Sequence, residues 1–64
     1  MIDDIDKKII KVLEDDARTS LRKISELVDV SLGTVSNRVK RMEKNGVIKG
    51  YSVILNPDNI GWEL

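Results

Sequence analysis

Between residues 32 and 44 the chain places Gly33, Thr34, Asn37, Lys40, Arg41 and Lys44 at recurring spacings of three and four. With Val35 at zero on a helix of about 100° per residue, these six fall between about 140° and 260°. Leu32, Val39 and Met42 gather within about 60° of Val35. One flank is therefore apolar, and the other is small, polar or cationic. Ser36, at about 100°, borders the polar flank; Arg38, at about 300°, turns partly toward the core and has a mixed structural and phosphate role. Glu43, the only acid of the stretch, lies at about 80°, beside the apolar flank. A donor-rich ridge without negative charge is the kind of surface that a DNA major groove about 12 Å wide can receive.

Other chemistries are poorly served. The chain has no histidine and no cysteine, which removes the commonest general base, a leading zinc ligand, disulfides and thiolate metal sites. No spacing of Ser, Lys and Asp suggests a nucleophile beside its base, so no catalytic residue is assigned. Two acidic clusters, Asp3-Asp4-Asp6 and Glu14-Asp15-Asp16, lack the oxygen-rich loop with a central glycine used by calcium-binding hands. They read as solvated helix ends, and no metal or other cofactor is expected. No apolar run is long enough to span a membrane, and the acidic opening is unlike a signal peptide, so a cytoplasmic location is expected.

Eleven basic and eleven acidic residues give the 64-residue chain a net charge of zero. The charge is nevertheless sorted. Residues 1–16 carry three basic and six acidic side chains, whereas residues 30–50 carry five basic and one acidic. A basic stretch inside a neutral chain is compatible with a nucleic-acid face.

The positioning elements follow from periodicity. Ile5, Ile9, Val12 and Leu13 form an apolar stripe and predict a first helix over about 4–15, with Asp3 as its N-cap. Asp6 adds a second carboxylate at the positive end of the helix dipole. Ser20 caps a second helix over 21–28, whose Leu21, Ile24, Leu27 and Val28 face inward. Asp29-Val30-Ser31 makes a tight turn, and Ser31 caps the third helix, over about 32–44. Asn45-Gly46 ends it. The period then changes from 3.6 to 2, so Val47-Ile48 and 51–55 read as short strands around Lys49-Gly50. Apolar residues on both faces of 51–55, and the apolar tail Ile60-Gly61-Trp62-Glu63-Leu64, predict that more protein or a partner continues the structure. Homodimerisation through that strand and tail is expected.

The expected fold is therefore mainly α: a three-helix helix-turn-helix domain with a short β-segment, a rudimentary winged helix. The domain is expected over 1–56, with the helix-turn-helix motif at about 21–44. Residues 57–64 are expected to be a linker or the start of a further domain. N-terminal residues of a recognition helix reach base edges, so Gly33, Thr34, Ser36 and Asn37 are the base-reading candidates, with Ser31 at their head. Asn37 can pair bidentately with adenine, Thr34 offers a methyl to thymine, and Gly33 permits close backbone approach. Lys40, Arg41 and Lys44 are candidates for phosphate, and Arg41 also for guanine. Arg22 and Lys23 lie where the second helix would cross the DNA backbone, and Lys49 where the β-turn would reach a flanking phosphate.

The order of these residues resembles a known family. Ile2-Asp3-x-x-Asp6-x-x-Ile9-Ile10 and Leu13-Glu14-x-Asp16-Ala17-Arg18 are similar to the opening of the Lrp/AsnC (feast/famine) transcriptional regulators. So are Ser31-x-x-Thr34-Val35-x-x-Arg38-Val39-x-Arg41-Met42-Glu43-x-x-Gly46-Val47-Ile48 and Gly50-Tyr51…Leu55-Asn56-Pro57. Met42 stands where the family usually has leucine, and Val47 where phenylalanine or another apolar residue is common. The resemblance implies a cytoplasmic DNA-binding domain that docks its third helix in the major groove of roughly palindromic promoter sites, as part of a dimer. It also implies, for full-length members, a C-terminal ferredoxin-like domain that binds amino acids, so no small-molecule effector is assigned to these residues. The competing expectation is a winged-helix protein-interaction module without DNA binding, suggested by the zero net charge and the two-sided apolar strand.

Overall fold

The computed structural model describes residues 2–56 and 58. Three helices follow one another: α1 (Asp4–Asp15), α2 (Leu21–Val28) and α3 (Leu32–Lys44). Each begins at a side-chain cap. Asp3 and Asp6 form a reciprocal capping box on α1, each carboxylate accepting from the other's backbone N–H at 3.0 and 3.3 Å. Ser20 Oγ accepts from the Lys23 N–H at 3.0 Å, and Ser31 Oγ from the Thr34 N–H at 3.1 Å. These bonds satisfy N–H groups that the helices themselves leave unpaired.

The turn between α2 and α3 is made by Asp29, whose φ of 63° and ψ of 48° lie in the left-handed region. Aspartate tolerates that region better than most residues, which allows α3 to start so soon after α2. After α3, Gly46 takes a φ of 77°, and the Ile48 N–H donates to the Met42 carbonyl at 3.1 Å. That bond folds the chain back so that Ile48 packs against the core.

The core is small: Ile9 from α1, Ile24 and Val28 from α2, and Val35, Val39 and Met42 from α3. Ile5, Ile10, Val12, Leu13 and Val30 pack around it. Three residues expected to face inward do not. Leu21, Leu27 and Leu32 are 39%, 58% and 43% exposed. Two short helices bury only the inner part of each apolar face, and these leucines lie on its edges.

The β-segment is the second correction. Among the described residues, 47–56 contain no strand. A strand is made by ladder hydrogen bonds to a neighbour, and this segment has none within the described chain; Val53 is 78% and Ile54 99% exposed. Beyond the Ile48 bond to Met42, the segment is tied to α3 by the Tyr51 hydroxyl, which donates to Glu43 Oε2 at 3.0 Å. Residues 57 and 59–64, including Ile60, Trp62 and Leu64 of the expected dimer surface, lie outside the described residues.

Candidate nucleic-acid interface

With Val35, Val39 and Met42 buried, the opposite side of α3 is left to solvent. Gly33, Asn37, Lys40, Arg41 and Lys44 are exposed there, and Thr34 and Ser36 are half-buried at its margins. Ser31 Oγ donates to Thr34 Oγ1 at 2.8 Å while accepting from the Thr34 backbone, so both hydroxyls are ordered at the start of the helix. Gly33 stands in open space: a Cβ built on it meets nothing within 4 Å. Arg22 and Lys23 are exposed in the first turn of α2, and Lys49 on the segment after α3. Among the described residues, Arg22, Lys23, Lys40, Lys44 and Lys49 have no carboxylate within ion-pair distance.

The two arginines of α3 are placed differently. Arg38 Nη1 donates to Asp3 Oδ2 and, at 3.3 Å, to Asp6 Oδ1. Arg41 Nη2 donates to Asp6 Oδ2 at 3.0 Å. The Asp6 carboxylate is 1% exposed and the Arg38 side chain 23%, whereas Arg41 remains 49% exposed. A buried carboxylate is costly to desolvate unless charge and hydrogen bonds compensate it, and here two guanidinium groups and the Asp3 N–H do so. The Asp3 carboxyl is held down to about 2, first by its hydrogen bond from Arg38 and then by the Asp6 backbone N–H. Arg38 is correspondingly pushed up, chiefly by Asp3. The Tyr51 hydroxyl is pushed up by partial burial and by its bond to Glu43.

Asp3 and Asp6 are therefore not simply solvated helix-end acids. They anchor α3 onto α1. The signal was present in the sequence, since Asp6 stands only about 60° from Ile9 on the helix wheel. An acid on an apolar stripe calls for a buried cationic partner. Arg38 is an interhelical tie more than a free cation, which is the structural half of the mixed role expected of it. Arg41 is anchored through one nitrogen while its side chain stays half-exposed.

An open groove of about 240 Å³ is lined by Ile10, Leu13, Ala17, Ile48 and Tyr51. It lies away from the polar side of α3. No helix of the described residues is long and apolar enough to cross a membrane.

A helix-turn-helix with one helix presented by its polar side is a DNA-binding architecture. Comparison with known proteins agrees. The family described as winged helix-turn-helix DNA-binding matches residues 2–49, and the chain belongs to that family. Its type is that of the Lrp/AsnC transcriptional regulators. The regulator Ptr1 of Methanocaldococcus jannaschii is 45% identical over the whole of this chain, which covers 43% of that protein. The regulator LrpA of Pyrococcus abyssi is 39% identical, again over the whole chain and 45% of its own length. A solved transcriptional regulator of the AsnC family from Pyrococcus furiosus superposes with a TM-score of 0.87 at 33% identity, over 91% of this chain and 37% of that one. LrpC of B. subtilis gives 0.85 at 33% identity, over 95% and 44%. The chain thus spans less than half the length of the relatives it matches.

Proposed function

We propose that this domain binds double-stranded DNA sequence-specifically, with α3 in the major groove, and serves transcriptional control rather than catalysis. One observation carries the reading. The solvent side of α3 combines small or amide-bearing residues at its N-terminal half with unpaired lysines at its C-terminal half. Gly33, Thr34, Ser36 and Asn37 then read base edges, with Ser31 ordering the first turn. Lys40 and Lys44, with Arg22 and Lys23 on α2 and Lys49 beyond α3, hold phosphates and set the register. Arg41, restrained at one end, is better suited to a fixed guanine edge than to a wandering phosphate.

Dimerisation, palindromic operators and a cytoplasmic site of action complete the proposal. They are supported by the exposed apolar segment 53–55 and by the kinship with regulators whose names place them in transcription. The domain boundary near residue 56 belongs to the same reading.

Selection of bound sequences from a random duplex pool tests specificity and half-site spacing together. Titration of a recovered site with Lys40→Ala tests the docking face. Each phosphate contact contributes about 0.9 to the slope of log affinity against log salt. The variant should flatten the slope by about that amount. A pool without enrichment, or a slope unchanged in Lys40→Ala and Lys44→Ala alike, overturns the reading.

A further inference from the structure

We propose that Asp6 is a specificity-determining positioning residue: by holding Arg41, it withholds that cation from non-specific phosphate contact and presents it only to a matching site. The inference rests on the DNA-binding reading above and deepens it.

Arg41 belongs by position to the polar side of α3, at about 240° on the helix wheel, between the base-reading and phosphate-holding residues. A free arginine there would follow whichever phosphate was nearest, because its charge is permanent and its stem flexible. The structure does not leave it free. Asp6 Oδ2 takes Arg41 Nη2 at 3.0 Å, and the same carboxylate takes Arg38 Nη1 through Oδ1 at 3.3 Å. Arg38 is further bound to Asp3. Two carboxylates and two guanidinium groups thus form a neutral quartet beside the docking side of the helix. Asp6 is fully buried and cannot leave to solvent, whereas Arg41 is half-exposed.

Two consequences follow. The long-range attraction of α3 for DNA comes from Lys40 and Lys44, since the charges of both arginines are balanced within the domain. Arg41 also enters a complex already oriented, so little side-chain freedom is lost where a base edge matches and little is gained where none does. Asp6 touches no DNA in this arrangement. It acts through Arg41.

The test uses the 64-residue chain, a mixed-sequence duplex and a site recovered by selection, with affinities measured across salt. Asp6→Asn keeps the shape and removes the charge. Released Arg41 should then reach a phosphate of the mixed duplex, steepening the salt slope by about 0.9. The extra loss of affinity between about 50 and 200 mM salt is then roughly 3.5-fold. Preference for the selected site should fall about fivefold or more, the size of one good base contact. The steeper slope should vanish when Arg41→Ala is added, and the double variant should lose no more preference than Arg41→Ala alone, which a merely structural role for Asp6 does not require. In the parent chain, Arg41→Ala should leave the mixed-duplex slope unchanged while weakening the selected site. This single variant tests whether Arg41 is withheld from non-specific contact even if Asp6→Asn unfolds, as circular dichroism would reveal. An unchanged slope in folded Asp6→Asn, or a flattened mixed-duplex slope in Arg41→Ala, overturns the inference but leaves DNA binding intact. If the parent chain binds neither duplex at low salt, it is the DNA reading itself that has failed.

Discussion

Replacing Gly33 by alanine separates the stability of α3 from its use. Gly33 lies in the first turn of the helix, and a Cβ built there meets nothing within 4 Å. Its backbone is not in the left-handed region, so alanine introduces neither strain nor a clash. Glycine within a helix is less favourable than alanine by roughly 0.5–1 kcal/mol, because more backbone freedom is lost on folding. For a domain of this size, about 1 kcal/mol shifts the melting midpoint by roughly 4–8 °C, so Gly33→Ala should melt about 2–8 °C higher. If Gly33 faces the groove, the same methyl occupies space reserved for a base edge and pushes the helix outward. The loss of even one good base contact is about 1–3 kcal/mol, or roughly five- to 150-fold in affinity for a selected site. Calorimetry and duplex titration on the same preparation read both effects. A variant that is more stable yet binds DNA unchanged would place Gly33 outside the contact surface. A variant that is less stable would contradict the open surroundings described here.

Ile24 is fully buried at the centre of a core of six residues, so Ile24→Ala should cost about 2–5 kcal/mol. Total stability at this chain length is expected to be roughly 3–10 kcal/mol, so urea titration should find a large share of it gone and the midpoint well below the parent's. Asp3→Asn retains a good N-cap but removes the charge that Arg38 binds. Because the folded-state pKa is depressed to about 2, the contribution of this carboxylate is fully present above its unfolded value near 4 and is lost as pH falls through about 2. The melting difference between parent and variant should therefore narrow from about pH 4 to about pH 2, and a difference independent of pH would remove Asp3 from the account.

The helices were legible because each carries local signals that need no distant partner. Asp3, Ser20 and Ser31 are caps in sequence and in structure, and the bounds of α2 and α3 coincide with their apolar stripes. Asp29 was recognisable as a turn residue for the same reason. What depended on long-range pairing was not legible. Segment 51–55 has a strand-like composition, yet composition cannot supply the neighbour that a ladder needs. Leu21, Leu27 and Leu32 have the right spacing for burial, but spacing does not say how far a short neighbouring helix extends over them. Arg41 was placed correctly on the polar side of α3, while its bond to Asp6, thirty-five residues away, arises only from the packing of α1 on α3.

That last contact explains how a chain of zero net charge can present a cationic face. The acids of residues 1–16 do not dilute the basic stretch evenly. Asp3 and Asp6 are spent on the two arginines nearest α1, leaving the lysines of α3 without an acid on their side of the helix. Glu43, the only acid on α3, is engaged by the Tyr51 hydroxyl on the flank next to the core. The local field at the polar side is therefore set chiefly by Lys40 and Lys44, which pair with no carboxylate among the described residues. Net charge describes solubility and long-range encounter, whereas docking depends on which charges are already paired when the surfaces meet. A domain with the same composition but with Asp6 on the solvent side of α1 would leave Arg41 unrestrained while Asp3 still held Arg38, and under the proposal above it would bind mixed DNA more tightly and discriminate less.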